Sequence, residues 1–314
     1  MAILTSFPGL EVDIVVNGNA LREYDTHKDS DEPTEKSDSA IKYVEAQPGQ
    51  EFAIRVRANR QFRYRQHDLT YRVYSDGEFQ GSGTICKENY IRGTMSTREG
   101  VKRSVAGRIV LRKFQFSTLI TDDRPVSGTD TARASKLGDI IVSFHRTNIQ
   151  GPITRKNTYA PDDLQGPQSV AEKALKGRAL SRTIDLGTAI PSRPGTSVKK
   201  NYIDPKDKPF AIFTFRYRSM DDLYAEMIVP RPVPLEERDP ESLSVEEMRE
   251  LLRRQEANLE RRNLRRQIEG NRAVLSGSQG IKGELKREHD SSLAESSGSA
   301  SRRRRIETVD LTDD

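Results

Sequence analysis

Side chains that commonly bind metal ions or act as nucleophiles are few and scattered in this sequence. The 314 residues include four histidines and one cysteine, which are His27, His67, His145, His289 and Cys86. The cysteine has no partner at the Cys-x-x-Cys spacing typical of zinc sites. No Gly-x-Ser-x-Gly sequence is present to position a nucleophilic serine. The sequence therefore predicts no metal, no cofactor and no catalytic residue.

Other residues that could do chemistry have simpler structural interpretations. Gly81 and Gly83 enclose a serine, but they lack the third glycine and the strand-to-helix transition of a phosphate-binding loop. Asp222 lies three residues after Ser219, a spacing at which both side chains stabilise the first turn of a helix. Cys86 follows an apolar strand residue and is interpreted as a small buried side chain. We expect a protein that is not an enzyme.

Arginine is the residue type whose arrangement could serve recognition of an anionic partner. Arginines at alternating strand positions, or close to Phe62 and Tyr64, are Arg55, Arg57, Arg60, Arg63, Arg65, Arg72, Arg108, Arg112, Arg216 and Arg218. Arginines interleaved with aromatic rings can hold phosphates and stack on nucleobases. We prefer the interpretation that they lie on solvated sheet faces and pair with acids such as Glu11, Asp13 and Glu51. Nucleic-acid binding through the arginine-rich faces is the alternative function.

The charge balance favours the solvated-face interpretation. The formal net charge is +5. The residues before Arg231 include 35 basic and 29 acidic side chains, whereas the rest of the chain has 17 and 18. Proteins that bind nucleic acid usually concentrate their positive charge more strongly than this.

The final residues, RRRRIETVDLTDD at 302–314, combine a basic run with an aliphatic and acidic end. Val309 and Leu311 alternate with polar residues, as in a peptide that adds a strand to another protein and fills pockets with alternate side chains. The sequence VDLTDD resembles a SUMO-interacting motif, in which a short aliphatic core and an acidic flank bind the edge of SUMO. The resemblance implies that Val309 and Leu311 are the anchors. The other residues of the motif are Asp310, Thr312, Asp313 and Asp314, and the three aspartates supply the charge.

Two further features of this tail bear on partners and location. Thr308 stands where stronger motifs carry an aliphatic residue, so we expect weak affinity for SUMO or a SUMO-modified protein. The run Arg302, Arg303, Arg304 and Arg305 is of the kind that a nuclear-import receptor binds, and the pairs Arg261-Arg262 and Arg265-Arg266 on the predicted helix are weaker candidates. Together they predict a nuclear protein-interaction module, with the cytoplasm as the alternative location. The competing interpretation is a solubilising terminus that happens to contain two aliphatic residues.

The elements that must position these residues are indicated by alternating apolar side chains. In LEVDIVV, every second residue from Leu10 to Val16 is apolar, which is typical of a half-buried strand. Further strands are predicted in IKYVEA, EFAIRVRA, DLTYRVY, EFQGSGTIC, RIVLRKFQF, DIIVSFH and PFAIFTFRY. Asn17-Gly18, Pro48-Gly49 and Asp76-Gly77 suit tight turns between strands. This pattern predicts a mainly β fold, an antiparallel, jelly-roll-like β-sandwich.

The order of these segments resembles a family of fungal proteins that share an uncharacterised N-terminal domain. The resemblance rests on GLEVDIVVNGNALREY, YVEAQPGQEFAIRV, DLTYRVYSDGE, LGDIIVSFHR and KPFAIFTFRYRSMDDL, and it covers about residues 5–230. It implies an intracellular fungal protein with a domain boundary near residue 230. The family has no assigned activity, so no site residue is carried over.

Composition divides the chain into a folded first part and a more polar remainder. Residues 1–230 are predicted as the β-domain, in which residues 25–39 and 151–208 form flexible loops. A short helix within the second loop is an alternative, because Ser169 and Glu172 have the spacing of a capping box. The proline-rich stretch at 231–243 is predicted as a linker. The β-domain is long enough to bury a substantial core.

After the linker the sequence predicts a charged helix at residues 244–270 and a disordered tail at 271–314. Ser244 and Glu247 have the spacing of a capping box at the start of this helix. Its apolar residues do not sustain the heptads that a coiled coil requires, so a solvated single helix is preferred over self-association. The oligomeric state is left open.

Membrane association and secretion are not expected. No segment approaches the roughly 20 apolar residues of a membrane-spanning helix, and the first residues, MAILTSFPGL, do not resemble a signal peptide. One cysteine cannot form an internal disulfide, which fits a reducing compartment such as the nucleus or cytoplasm.

Overall fold

A computed structural model describes residues 2–26, 35–36, 38–153, 159–160, 169–233, 237–238 and 243–277. The chain divides into two compact units, one ending at Pro232 and the other beginning at Val233. The first unit therefore ends two residues after the boundary that the sequence predicts.

The first unit consists mainly of β-strands. In chain order they are β1 (Ala2–Ile3), β2 (Leu10–Val16), β3 (Asn19–Ala20), β4 (Glu23–Tyr24), β5 (Glu35–Lys36), β6 (Ser39–Glu45), β7 (Glu51–Ala58), β8 (Asp68–Ser75), β9 (Glu78–Ile85), β10 (Thr94–Arg98), β11 (Gly100–Val105), β12 (Arg108–Thr118), β13 (Thr121–Asp122), β14 (Asp139–Pro152), β15 (Val170–Ala171), β16 (Arg182–Pro191), β17 (Val198–Tyr202) and β18 (Ala211–Arg218). The α-helices are α1 (Gly128–Ala134), α2 (Met220–Ala225) and α3 (Val245–Gly277), and 3-10 helices span Lys87–Arg92 and Glu172–Leu175.

Two eight-stranded sheets contain all of these strands except β13 and β15, which form a separate two-stranded parallel sheet. The first sheet has the order β1-β2-β7-β12-β11, with β3, β10 and β16 paired to β2, β7 and β12. The second has the order β4-β6-β18-β14-β8-β9, with β5 and β17 paired to β6 and β14. Among the described strands of these sheets, the β6–β18 pair is parallel and the others are antiparallel. The predicted fold class, a mainly β sandwich followed by a helix, is confirmed.

The core lies between the two sheets and is built by the alternation that the sequence shows. In β7 the side chains of Phe52, Ile54, Val56 and Ala58 are buried, while those between them are more exposed. Phe52 stacks on Phe116 of β12 with ring centroids 4.3 Å apart. Large apolar side chains contribute roughly 1.5–3 kcal/mol each when they leave water, so this layer holds the sheets together.

The three predicted turns differ in what they connect. Asn17 and Gly18 have φ of 50° and 83° and join β2 to β3, and Asp76 and Gly77, at 50° and 79°, join β8 to β9. These positive angles suit the twist of a hairpin. The Pro48–Gly49 turn, with Gly49 at φ 83°, instead connects β6 of the second sheet to β7 of the first.

The prediction of a flexible loop at residues 151–208 is wrong for the described part of that segment. It contains β15, β16, β17 and a 3-10 helix, and β16 pairs with β12 over most of its length. Most side chains of β16 are half-buried or exposed, so its sequence lacks the apolar alternation by which the other strands were found. The short helix α1 was also missed, although Ser127 and Asp130 form a capping box at its start.

The second unit contains α3, which runs seven residues beyond the predicted end at residue 270. The predicted capping box is present, because the Glu247 backbone N–H donates to Ser244 Oγ at 3.2 Å and the Ser244 N–H donates to the Glu247 carboxylate at 2.9 Å. Arg254 pairs with Glu250 one turn earlier, at 3.0 Å. Among the described helices, none has the length and apolar character needed to span a membrane.

Candidate ligand-binding face of the second sheet

The outer face of the second sheet collects cations and aromatic rings from neighbouring strands. On β14, Ile140, Val142 and Phe144 are buried in the core, so the residues between them point to the opposite side. Register places Arg72 of β8 opposite Ser143, and Thr84 of β9 beside Thr70. We call the following residues the basic–aromatic face: Arg72, Tyr74, Phe79, Thr84, His145, Lys200, Tyr202 and Lys206.

Each cation of this face lies against an aromatic ring. The Arg72 guanidinium carbon is 5.2 Å from the ring centroid of Tyr74 and 5.1 Å from that of Phe79. The amino groups of Lys200 and Lys206 are 5.9 and 5.4 Å from the centroid of Tyr202. Such contacts attract a cation to the ring face without neutralising its charge.

Arg72 and Lys200 form no ion pair with a carboxylate in the part of the chain that the structure describes. Arg72 donates to the backbone carbonyl of Lys206 at 3.5 Å, and Lys200 donates to the Thr84 hydroxyl at 3.0 Å. Asp204, which lies on the same segment as Lys206, is held by Arg146 at 2.5 Å. The face therefore keeps positive charge that its own acids do not cancel.

The electrostatics of the face reflect this arrangement. Burial, and secondly the neighbouring Arg72, lower the pKa of Lys200 to about 8. Burial also lowers the pKa of His145, although its contact with the Lys206 carbonyl opposes the shift. Both effects come from holding positive charge in a partly dry place near other cations, and such perturbed groups are more frequent at functional sites.

His145 is fully buried beneath this face. Its Nε2 lies 3.2 Å from the Lys206 carbonyl oxygen, which assigns the hydrogen to Nε2. Its ring meets Tyr202 edge-on, with centroids 5.5 Å apart. Its other nitrogen, Nδ1, has no hydrogen-bond partner among the described residues. From the sequence, His145 is interpreted as a solvated or hydrogen-bonded side chain rather than a ligand, and neither β17 nor its pairing with β14 is predicted.

The arginines of the first sheet pair with acids, as the preferred interpretation expects, but the face on which they lie is largely buried rather than solvated. Asp13 pairs with Arg55 at 3.0 Å and with Arg57 at 2.5 Å, and Arg57 also pairs with Glu11 at 3.1 Å. Glu51 pairs with Lys113 rather than with an arginine, at 2.6 Å. These cations are neutralised across strands and do not form a free basic surface.

The remaining arginines have varied surroundings. Arg218 is buried against Glu226 at 2.8 Å, Arg216 donates to the Tyr43 hydroxyl at 3.1 Å, and Arg112 donates to the Gly187 carbonyl at 2.9 Å. Arg108 is exposed at the start of β12. Of the strand arginines predicted from the sequence, Arg72 is the one that the structure places on the basic–aromatic face.

Of the two rings in the predicted stacking surface, Phe62 is inaccessible in the structure and Tyr64 is partly exposed. Phe62 is fully buried, and Tyr64 packs against the core, 5.8 Å from the Phe62 ring. The Arg63 guanidinium carbon lies 4.8 Å from the centroid of the Tyr64 ring. Removal of these rings from water stabilises the domain, and the buried Phe62 ring is not accessible to a base. Arg60 and Arg65 lie exposed beside them.

One group of potential metal ligands has a structural explanation. Asp68, Cys86 and Glu88 place ligand atoms within 4.8 Å of one another. Both carboxylate oxygens of Asp68 already accept backbone N–H groups, from Lys87 at 3.0 Å and Ile149 at 2.8 Å. Burial and the neighbouring carboxylates raise the pKa of the Cys86 thiol, which keeps it in the weakly coordinating protonated form.

A cavity of about 750 Å³ opens where the edges of the two sheets meet at β9, β10 and β11. Arg98 of β10 reaches across to β9 and donates to the carbonyls of Gln80 at 2.6 Å and Ser82 at 3.4 Å. Burial lowers the pKa of Arg98. Because the Arg98 guanidinium links the two sheets, we interpret this cavity as a gap between their edges and not as a ligand-binding site.

The predicted tail sites lie outside the described residues. This applies to the SUMO-like motif at 309–314, to the arginine run at 302–305, and to His27 and His289. The residues of functional interest that the sequence analysis missed are Lys200, Tyr202 and Lys206. The run KKNYIDPKDK, in which lysines surround a tyrosine, was the signal that could have identified them.

Comparison with known proteins places the compact β-unit in a defined family. A model of DUF7918, a domain of unknown function, matches residues 9–232, and this match ends where the first compact unit ends. No curated protein and no solved structure matches the chain.

Proposed function

We propose, from the premise that the chain belongs to the DUF7918 family, that this protein is a non-enzymatic recognition module. Its β-domain binds an anionic partner through the basic–aromatic face, and its C-terminal residues dock on SUMO. The observation that carries the proposal for the β-domain is the pair Arg72 and Lys200, which lies on one sheet face without a carboxylate partner among the described residues.

The cost of maintaining this pair supports a binding role. Two like charges close together in a partly dry site destabilise a fold unless a counter-charge is present. In the first sheet, Asp13 supplies this counter-charge to Arg55 and Arg57. Arg72 and Lys200 of the second sheet have no such acid among the described residues, which suits a counter-charge supplied by a partner.

The proposal for the tail rests on the sequence VDLTDD. Val309 and Leu311 would insert into pockets of SUMO while their backbone extends its sheet, and the aspartates at 310, 313 and 314 would face basic residues. The motif is short, so its support comes from the alternation and the acidic flank together.

Replacing both anchors, as Val309→Ala with Leu311→Ala, is expected to reduce recovery of the intact chain on immobilised SUMO at least about tenfold. The reason is that two apolar side chains lose their pockets while the charge of the tail stays the same. The measurement is a pull-down with quantified bound fraction. Leu285→Ala with Leu293→Ala is the matched control, since it removes two aliphatic side chains outside the motif. Equal recovery of the anchor variant and the control would remove SUMO as the partner.

The run from Arg302 to Arg305 is proposed as the element that an import receptor reads, which gives the protein a nuclear location. Changing these four arginines to serine is expected to move a fluorescent fusion from the nucleus to the cytoplasm. Lys286→Ser with Arg287→Ser serves as the control for loss of charge elsewhere. Nuclear accumulation of the four-serine fusion would contradict the proposal.

A further inference from the structure

We propose that the basic–aromatic face binds single-stranded nucleic acid, and that Arg72 and Lys200 hold one of its backbone phosphates. This inference rests on the proposed function, because it names the partner class of the same face. It assigns the phosphate to a subsite and the bases to the rings beside it.

The hydrogen-bond donors of the subsite come from two strands, and each side chain has more N–H groups than its contacts among the described residues use. Lys200 of β17 has three N–H donors, and the Thr84 hydroxyl takes one of them at 3.0 Å. Arg72 of β8 has five donors in a planar fork, and it makes one long contact, at 3.5 Å, with the Lys206 carbonyl. A phosphate between the two side chains would accept charge-assisted hydrogen bonds from both and remove their mutual repulsion.

His145 supplies an independent indication that this face meets a ligand. The side chain is fully buried, and its Nδ1 has no partner among the described residues. Leaving a buried polar atom unpaired costs about 1–3 kcal/mol. A neighbouring anion stabilises the imidazolium, in which Nδ1 becomes a donor, whereas the neutral ring can accept from a hydroxyl or a water molecule that accompanies the ligand.

The aromatic rings favour a nucleic-acid strand over a phosphorylated protein. Phe79 is 52% exposed, and its ring lies 5.4 Å from that of Tyr74 at an angle of 57°, so an exposed aromatic ring adjoins Arg72. Tyr202 provides a second ring beside Lys200. Bases stack on such rings without sequence preference, with about 1–3 kcal/mol per stacked base. A phosphoserine side chain would use the cations but gain nothing from rings on both flanks.

The test is fluorescence anisotropy of labelled 12-nucleotide DNA and RNA single strands, titrated with the full chain. Lys200→Met and Arg72→Met are each expected to weaken binding at least about tenfold, with Lys200→Arg keeping most of the affinity. Phe79→Ala is expected to weaken strand binding about fivefold or more. Lys199→Met is the matched control, because Lys199 is exposed and next to Lys200 on the same strand. Binding to the wild-type chain should also weaken steeply as salt increases.

Two further titrations separate the possible results. Inorganic phosphate and a phosphoserine peptide are added to the same variants, with nuclear magnetic resonance following the His145 ring and the Lys200 side chain. Phosphate should shift these resonances in the wild type and in Phe79→Ala, and should not shift the His145 signal in Lys200→Met. Unfolding curves of each variant report whether the fold is intact.

The outcomes distinguish failure of the inference from failure of the proposed function. Strand binding that is equal in wild type, Lys200→Met and Arg72→Met would overturn the subsite and also the basic–aromatic face as the binding surface of the β-domain. Tighter binding of the phosphoserine peptide than of either strand, lost in the same variants, would overturn the partner class but keep the recognition face. No response to strand, peptide or phosphate would overturn both.

Discussion

Replacing Asp76 with alanine is expected to lower the free energy of unfolding by about 4 kcal/mol. Asp76 lies in the turn between β8 and β9, and its carboxylate accepts hydrogen bonds from residues of several other segments. It accepts hydrogen bonds from the Tyr217 hydroxyl at 2.5 Å and from the backbone N–H groups of Gly138 at 2.9 Å and Ile184 at 3.2 Å. The Thr183 hydroxyl adds a longer contact at 3.4 Å.

The size of the effect follows from what alanine would leave behind. The Tyr217 side chain is fully buried, so its hydroxyl would lose its acceptor away from water, and the two N–H groups would also lose theirs. Each such loss costs about 1–3 kcal/mol when water cannot replace the partner. Asp76 also has a φ of 50°, a left-handed conformation that aspartate tolerates better than alanine. Because β16 belongs to the first sheet, the loss would loosen the contact between the sheets.

Equilibrium unfolding of the intact chain in denaturant measures this effect. Tyr217→Phe removes one of the donors and is expected to cost about 1–2 kcal/mol. Asp76→Asn keeps the shape and one acceptor oxygen, so it should fall between the alanine variant and the wild type. Glu78→Ala, two residues away on an exposed side chain, is the control and should leave the midpoint unchanged. A midpoint for Asp76→Ala equal to that of Glu78→Ala would show that the junction does not stabilise the fold.

For Asp76, the local turn could be predicted from the sequence, whereas its long-range hydrogen bonds could not. The pair Asp76-Gly77 predicts a hairpin, because both residues accept positive φ, and the hairpin is present. Nothing in the local sequence indicates that the same carboxylate reaches β16, more than a hundred residues further along the chain. Local conformation depends on neighbouring residues, whereas such a contact depends on how the sheets are assembled.

The strands also differ in how far their local sequence indicates them. Strands β2, β7, β14 and β18 were predicted because apolar side chains recur at every second position, although most of β2 is buried on both faces. Strands β16 and β17 are half-buried or exposed along most of their length, and pairing with β12 and β14 rather than burial holds them in place. The sequences of such strands lack the alternation of apolar and polar residues that indicates a half-buried strand.

The candidate site includes residues of β17, one of the strands that the sequence does not indicate. Arg72 was found from the sequence because β8 alternates clearly, but Lys200 lies on β17, within a segment predicted as a loop. The two meet because β14 pairs with β8 on one side and with β17 on the other. The charge pairs of the first sheet were easier to foresee, since β2 and β7 were both predicted strands and carry opposite charges at matching positions.

Replacing Asp13 with alanine is expected to lower the free energy of unfolding by about 3 kcal/mol, because it breaks the best-buried ion pair of the first sheet. Asp13 of β2 is fully buried and lies directly opposite Arg55 of β7. Its Oδ2 accepts from Arg55 at 3.0 and 3.1 Å and from Arg57 at 2.5 Å. The arginine side chains are 18% and 35% exposed, so water partly screens them and the expected loss is at the lower end for a buried pair.

A double-mutant cycle separates the pair from other effects of the substitution. With Arg55→Met already present, Asp13→Ala should cost about 1–2 kcal/mol less than it does alone, because one of the cations that it leaves unpaired is gone. Glu51→Ala is the matched control, since the Glu51–Lys113 pair is on the same sheet but its side chains are 48% and 33% exposed. Its effect should be small and should disappear in high salt, whereas that of Asp13→Ala should persist. If both substitutions changed stability equally and with the same salt dependence, burial would not be what distinguishes the paired arginines of the first sheet. The contrast with the acid-free pair Arg72 and Lys200 would then lose its physical basis.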